Sequence, residues 1–133
     1  MATNYKIPIT SKVSKEAEFC SSLFACADAI KLLHLNASGE GSYAKHVALG
    51  DLYDAISDTA DDVTESIQGY KGLLSMSIPA STLPVDCCTY VKSERARITT
   101  AMSSMTDMID VQNKLQDLIA VFSKTIYKLE NLK

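Results

Sequence analysis

The 133-residue sequence is poor in structural punctuation, with five glycines and three prolines, and no stretch alternates apolar and polar residues long enough to mark a sheet. Helices are what remain. No apolar run approaches the ~18 residues of a membrane span, and the opening Met1-Ala2-Thr3-Asn4-Tyr5-Lys6 lacks the apolar stretch of an export signal. These absences predict a soluble, unexported protein that stays in the cytoplasm without membrane contact. Basic charge is not in excess: 13 basic against 16 acidic side chains give a net charge of −3, which argues against broad attraction to nucleic acid. Cys20, Cys26, Cys87 and Cys88 form neither a C-x-x-C pair nor the paired doublets of a zinc site, so they read as reduced packing residues.

What is present is a 47% hydrophobic content, enough for one core and too little chain for two. The fold class expected is all-α. Residues 1–13 carry no helical stripe and read as an N-terminal arm available to a shell or capsid partner. Residues 14–133 read as a four-helix bundle. Helix A (14–35) repeats Phe19, Leu23, Cys26, Ala27, Ile30 and Leu33 at three- and four-residue steps, and the turn formers from Asn36 to Ser42 end it. Helix B (42–70) carries Leu49, Leu52, Tyr53, Ile56, Ala60, Val63 and Ile67 on one side and stops at Gly69 and Gly72. The next segment (71–85) holds Pro79 and Pro84 among serines and threonines, with at most a turn of helix near Leu73–Met76. Extended, it reaches ~50 Å, as long as a ~44 Å helix B, so it can return along the whole of B. Such a crossover leaves B and C parallel, which is the connectivity of ferritin-like bundles. Helix C (86–103) and helix D (105–132) follow, divided near Ser104, which reads as an N-cap with Asp107 in the first turn.

Chemistry concentrates on helix B. At about 100° per residue, His46, Gly50, Asp54, Asp58, Asp61 and Glu65 fall within one sector of about 120°, away from the apolar stripe. That sector faces water or a second subunit. An amphipathic surface helix often shows an acidic stripe, but His34 and His46 are the two histidines of the chain and both lie beside it. Imidazole and carboxylate together suit iron in a redox site. Asp61 and Glu65, four residues apart, project from one face and can chelate or bridge metal ions. The E-x-x-H pairs of the larger di-iron bundles are absent.

These residues resemble the mini-ferritins known as Dps, DNA-binding proteins from starved cells. The family signature is a histidine at the end of helix A, a second at the start of helix B, then an aspartate and a glutamate; this chain reads His34, His46, Asp61 and Glu65 at separations of 12, 15 and 4. Residues 30–70 carry the likeness, including His46-Val47-Ala48-Leu49-Gly50-Asp51-Leu52-Tyr53-Asp54. The resemblance implies a homo-oligomer with a site across a two-fold dimer interface, the histidines of one subunit facing the acids of its neighbour. It also implies ferrous iron as the ion bound, oxidised and stored by a ferroxidase, with His34, His46, Asp61 and Glu65 as ligands. Three departures stand out: the family's aspartate four residues after the second histidine is Gly50, with Asp54 one turn on as its substitute; the usual tryptophan is Leu35; and the basic tail is reduced to Lys6, Lys12 and Lys15, which disfavours DNA binding. The alternative is a non-enzymatic ferritin-like assembly protein, for example a bacteriophage virion component, that uses the same dimer surface as a joint.

Overall fold

The computed structural model describes residues 14–133; the expected arm, residues 1–13, lies outside them. Four helices follow in order: α1 (Lys15–Leu35), α2 (Ser42–Lys71), α3 (Cys87–Ser103) and α4 (Ile109–Asn131), with no strand among the described residues. The all-α four-helix bundle is therefore as expected.

Local chemistry sets the helix ends. Ser14 caps α1 by accepting from the Ala17 amide at 3.1 Å, and Asp86 caps α3 by accepting from the Cys88 and Thr89 amides at 2.9 and 3.2 Å. Those amides, Thr89 foremost, hold the Asp86 carboxyl below its ordinary value. Gly72, at φ 84°, stops α2, while Gly69 stays inside the helix.

Helix D begins four residues later than its sequence suggests. Ser104 is the C-cap of α3 and not an N-cap: its hydroxyl turns back to the Ala101 carbonyl at 2.7 Å, and Ser103 does the same to Thr100. Met105 and Met108 are buried, so the link is drawn into the core before α4 starts. The turn of helix near Leu73–Met76 does not form either; residues 72–86 contain no regular element. With Gly72 before it and serines and Pro79 after it, that segment has too few contiguous helix formers to nucleate one.

The ends of the helices fix the topology. Lys71 and Tyr70 at the end of α2 reach Asp107 (2.9 Å) and Asp110 (2.7 Å) at the start of α4, so these two helices run antiparallel. The start of α3, at Asp86 and Cys87, lies beside Leu33, Asn36 and Lys45, where α1 ends and α2 begins. Its far end meets Glu16 and Phe19. Thus α2 and α3 are parallel, joined by a crossover that returns along α1. Around the bundle the packed pairs are α1 with α2, α2 with α4, α4 with α3 and α3 with α1, which leaves α2 and α3 on a diagonal.

The core is one continuous cluster to which every helix contributes, among them Leu23, Ile30, Leu52, Ile56, Ile98, Leu115 and Phe122, all fully buried. The apolar stripe anticipated on helix B is inside, with only Tyr53 partly exposed. All four cysteines are free thiols; Cys20 and Cys26 pack in the core, where burial pushes both thiols up.

Two predictions follow from this packing. Leu52→Ala leaves a cavity against α1 and α4, and the midpoint of urea unfolding should fall by the equivalent of about 2–5 kcal/mol. At the other end, Lys71 lowers the Asp107 carboxyl and the Tyr70 hydroxyl lowers that of Asp110. Their folded values lie below their unfolded ones, so their stabilising effect is complete above the ordinary carboxylate range and disappears as pH falls through the folded values. A D107N/D110N double variant should therefore show a shallower loss of thermal midpoint on acidification than the parent chain.

Candidate functional site

The turn between α1 and α2 brings the two histidines together. Gly39 and Gly41 take positive φ (91° and 75°), which lets six residues reverse the chain. His34 sits in the last turn of α1 and His46 in the second turn of α2. Their rings stack with centroids 3.7 Å apart and planes 19° from parallel. Each Nδ1 then meets the other residue's main-chain carbonyl, His34 Nδ1 to His46 O at 2.5 Å and His46 Nδ1 to His34 O at 2.9 Å. A carbonyl can only accept, so both Nδ1 atoms carry the proton. One of these bonds adds a second partner to the His34 carbonyl at the C-terminal end of α1, which also accepts from the Ala37 amide at 3.4 Å.

Gly50 belongs to the same arrangement. A Cβ at that position would lie 2.9 Å from His34 Cε1 and 3.1 Å from His34 Nδ1. The His34 ring occupies the space that any side chain at residue 50 would need. The glycine that replaces the expected aspartate is therefore a packing requirement of the histidine pair. Sequence reading recorded the substitution and missed its cause, which no spacing rule signals.

Because Nδ1 is committed as a donor on each ring, Nε2 is the position left for another partner. Histidines that ligate metals are commonly held this way, with the non-ligating N–H on a carbonyl. The carboxylates do not complete a site within the chain. Asp61 lies 15 residues beyond His46, ~22 Å along α2 at the helical rise. Among the described residues no group of three His, Cys, Asp or Glu side chains is placed to hold a metal ion. Asp54, Asp58, Asp61 and Glu65 are exposed on the outer face of α2, and none is in an ion pair among the described residues.

One further polar cluster escaped the sequence reading. Arg97 on α3 binds Glu94 through Nε (2.7 Å) and Nη2 (3.1 Å), and its Nη1 donates to Ser22 on α1 at 2.6 Å. The guanidinium also lies over the Phe19 ring, and Tyr90 donates to Glu94 at 3.3 Å. The i,i+3 spacing of Glu94 and Arg97 was the available signal. Its fork geometry and partial burial make it the polar tie between α1 and α3.

In comparisons with known proteins, residues 34–129 match the model of DUF5856, a family of unknown function. The chain belongs to that family. No curated protein and no solved structure matches it. The matched region begins at His34 and so contains the whole histidine pair, Gly50 and the acidic face.

The role of Gly50 has a measurable consequence. Gly→Ala inside a helix normally stabilises by about 1 kcal/mol. Here the added methyl displaces the His34 ring, so Gly50→Ala should show no such gain and a lowered urea midpoint instead; a stabilised variant would contradict the packing described.

Proposed function

We propose that this member of DUF5856 binds ferrous iron at a site shared by two copies of the chain and oxidises or sequesters it, as the mini-ferritins that it resembles do. His34 and His46 of one copy supply imidazole Nε2 atoms; Asp61 and Glu65 of the other supply carboxylates, with Asp54 as an accessory acid. The observation that carries this reading is the pair of Nδ1–H bonds to main-chain carbonyls, which orients both imidazoles and leaves both Nε2 lone pairs for a ligand.

Helix geometry supports the requirement for a second copy. His46 and the acids belong to the same helix, α2, but Asp61 stands ~22 Å from His46 along it, so one chain cannot close the site alone. Two α2 helices crossing antiparallel about a two-fold axis at Asp54 would set His46 opposite the stretch from Asp61 to Glu65. The donor set suits iron: carboxylates favour the ferric state and imidazole nitrogen holds the ferrous ion. With Gly50 in place of an aspartate the site has one carboxylate fewer than its mini-ferritin counterparts, which predicts weaker retention of the ion.

A second reading has its own observation. The stacked, reciprocally bonded rings tie the main chains of α1 and α2 together and clamp the turn between them without any ion. On that reading the chain is a non-enzymatic assembly protein and the same face is only a joint between copies.

Mixing two inactive variants separates the readings. The double variants H34A/H46A and D61A/E65A should each fail to accelerate ferrous oxidation under air. Co-refolded, they should recover about a quarter of the parent rate, because half of the statistical pairs are mixed and each mixed pair has one intact site of two. No recovery would exclude a shared site, and a parent protein no faster than buffer would leave only the assembly reading.

A further inference from the structure

A cleft of about 590 Å³ opens where the α1–α2 turn meets the start of α3. Asn36, Ser38 and Lys45 line one side and residues 83–87 the other, so Cys87 is reached from solvent. Cys88 follows it, and both are partly exposed free thiols, unlike Cys20 and Cys26, which are buried. They are the first two residues of α3, whose cap, Asp86, accepts from the Cys88 and Thr89 amides. Adjacent thiols in a first helical turn can act as a chelating pair, since their Cα atoms stand ~3.8 Å apart. No preceding turn crowds either side chain, so all three χ1 wells are open to both. Cys88 Sγ reaches Glu130 Oε1 at 3.8 Å, a contact weak enough to give way.

Proton affinity and charge decide what the pair suits. Burial pushes both thiols up, so near neutral pH they are protonated and slow as free nucleophiles. A metal ion removes such a proton outright on coordination. Two thiolates select soft ions, whereas ferrous iron suits imidazole and carboxylate, and a structural zinc takes four ligands. Among the described residues no third His, Cys, Asp or Glu completes a group around the pair, so the fitting ion is one content with two ligands. Charge agrees. Two thiolates and a monovalent ion carry one net negative charge, and Lys45, which shares the cleft with Cys87, is in no ion pair among the described residues. The N-terminus of α3 adds its positive end.

We propose that Cys87 and Cys88 bind a soft, two-coordinate monovalent metal ion, cuprous copper, as a dithiolate. Two Cu–S bonds form, the two thiol protons pass to water, and no electron is transferred. The χ1 rotation that closes the pair draws Cys88 away from Glu130, and Lys45 balances the charge of the complex. Lys92 stays joined to Glu130. The site is independent of the ferrous reading, because its ligands are different and softer and it is complete within one chain.

The test uses the full chain, reduced and under nitrogen, titrated with cuprous ion in competition with the chromogenic chelator bicinchoninate. One ion per chain should leave the coloured chelate, and the thiolate-to-copper absorption in the ultraviolet should rise to that point and stop. Copper-edge X-ray absorption should show sulfur neighbours alone. Cys87→Ser and Cys88→Ser should each lose the ion to the chelator while keeping the parent's helical circular dichroism, since both positions are partly exposed. A chelate that keeps its colour throughout, a serine variant that holds copper as the parent does, or imidazole scattering at the copper would overturn the proposal. So would half an ion per chain, which would put thiols of two copies around it.

Discussion

The histidine pair at the α1–α2 turn sets the terms for the rest of the site. His34 and His46 come from different helices, yet each ring is fixed by the other's backbone, so neither imidazole can turn without breaking its hydrogen bond and the stacking contact. That arrangement demands close approach of α1 to α2, which Gly50 permits and any larger residue would prevent. It also decides which nitrogen of each ring is offered outward. The orientation of both imidazoles therefore follows from how the turn is held, and the turn is held by the same two imidazoles.

Helix length imposes the second constraint. A straight 30-residue helix keeps residues 46 and 61 far apart whatever the side chains do, so the donors of α2 can meet only through symmetry. Either they meet across a dyad around an ion, or the histidines serve the turn and the acids serve solubility. The free carboxylates of the outer face are compatible with both, because like charges in water repel only weakly until a partner surface excludes the solvent.

Periodicity made the fold legible in the sequence. The apolar stripes of helices A and B named their share of the core, and the proline- and serine-rich stretch after Gly72 implied the crossover through its length. The start of α4 was not legible, because Ser104 followed by Asp107 has the composition of an N-cap, and only the backbone shows the serine closing the preceding helix. At the site, the helical wheel grouped His46 with the acids of α2, and only the resemblance to a family set both histidines apart from Asp61 and Glu65; the stacking of the two rings had no signal in the spacing. The reason for Gly50 was hidden, since it lies in the packing of a ring from another helix. The Arg97–Glu94 tie to Ser22 was hidden as well, because its third member is 75 residues away in the chain.

The tautomer of the two imidazoles bears most directly on all of this, and long-range 1H–15N correlation at pH 8 reads it. Both histidines should show a protonated Nδ1 and an unprotonated Nε2, and titration with zinc as a diamagnetic stand-in for ferrous iron should move the Nε2 resonances and leave Nδ1–H bonded. Protonation at Nε2 on either ring would contradict the reciprocal hydrogen bonds and, with them, the presentation of both nitrogens to a ligand.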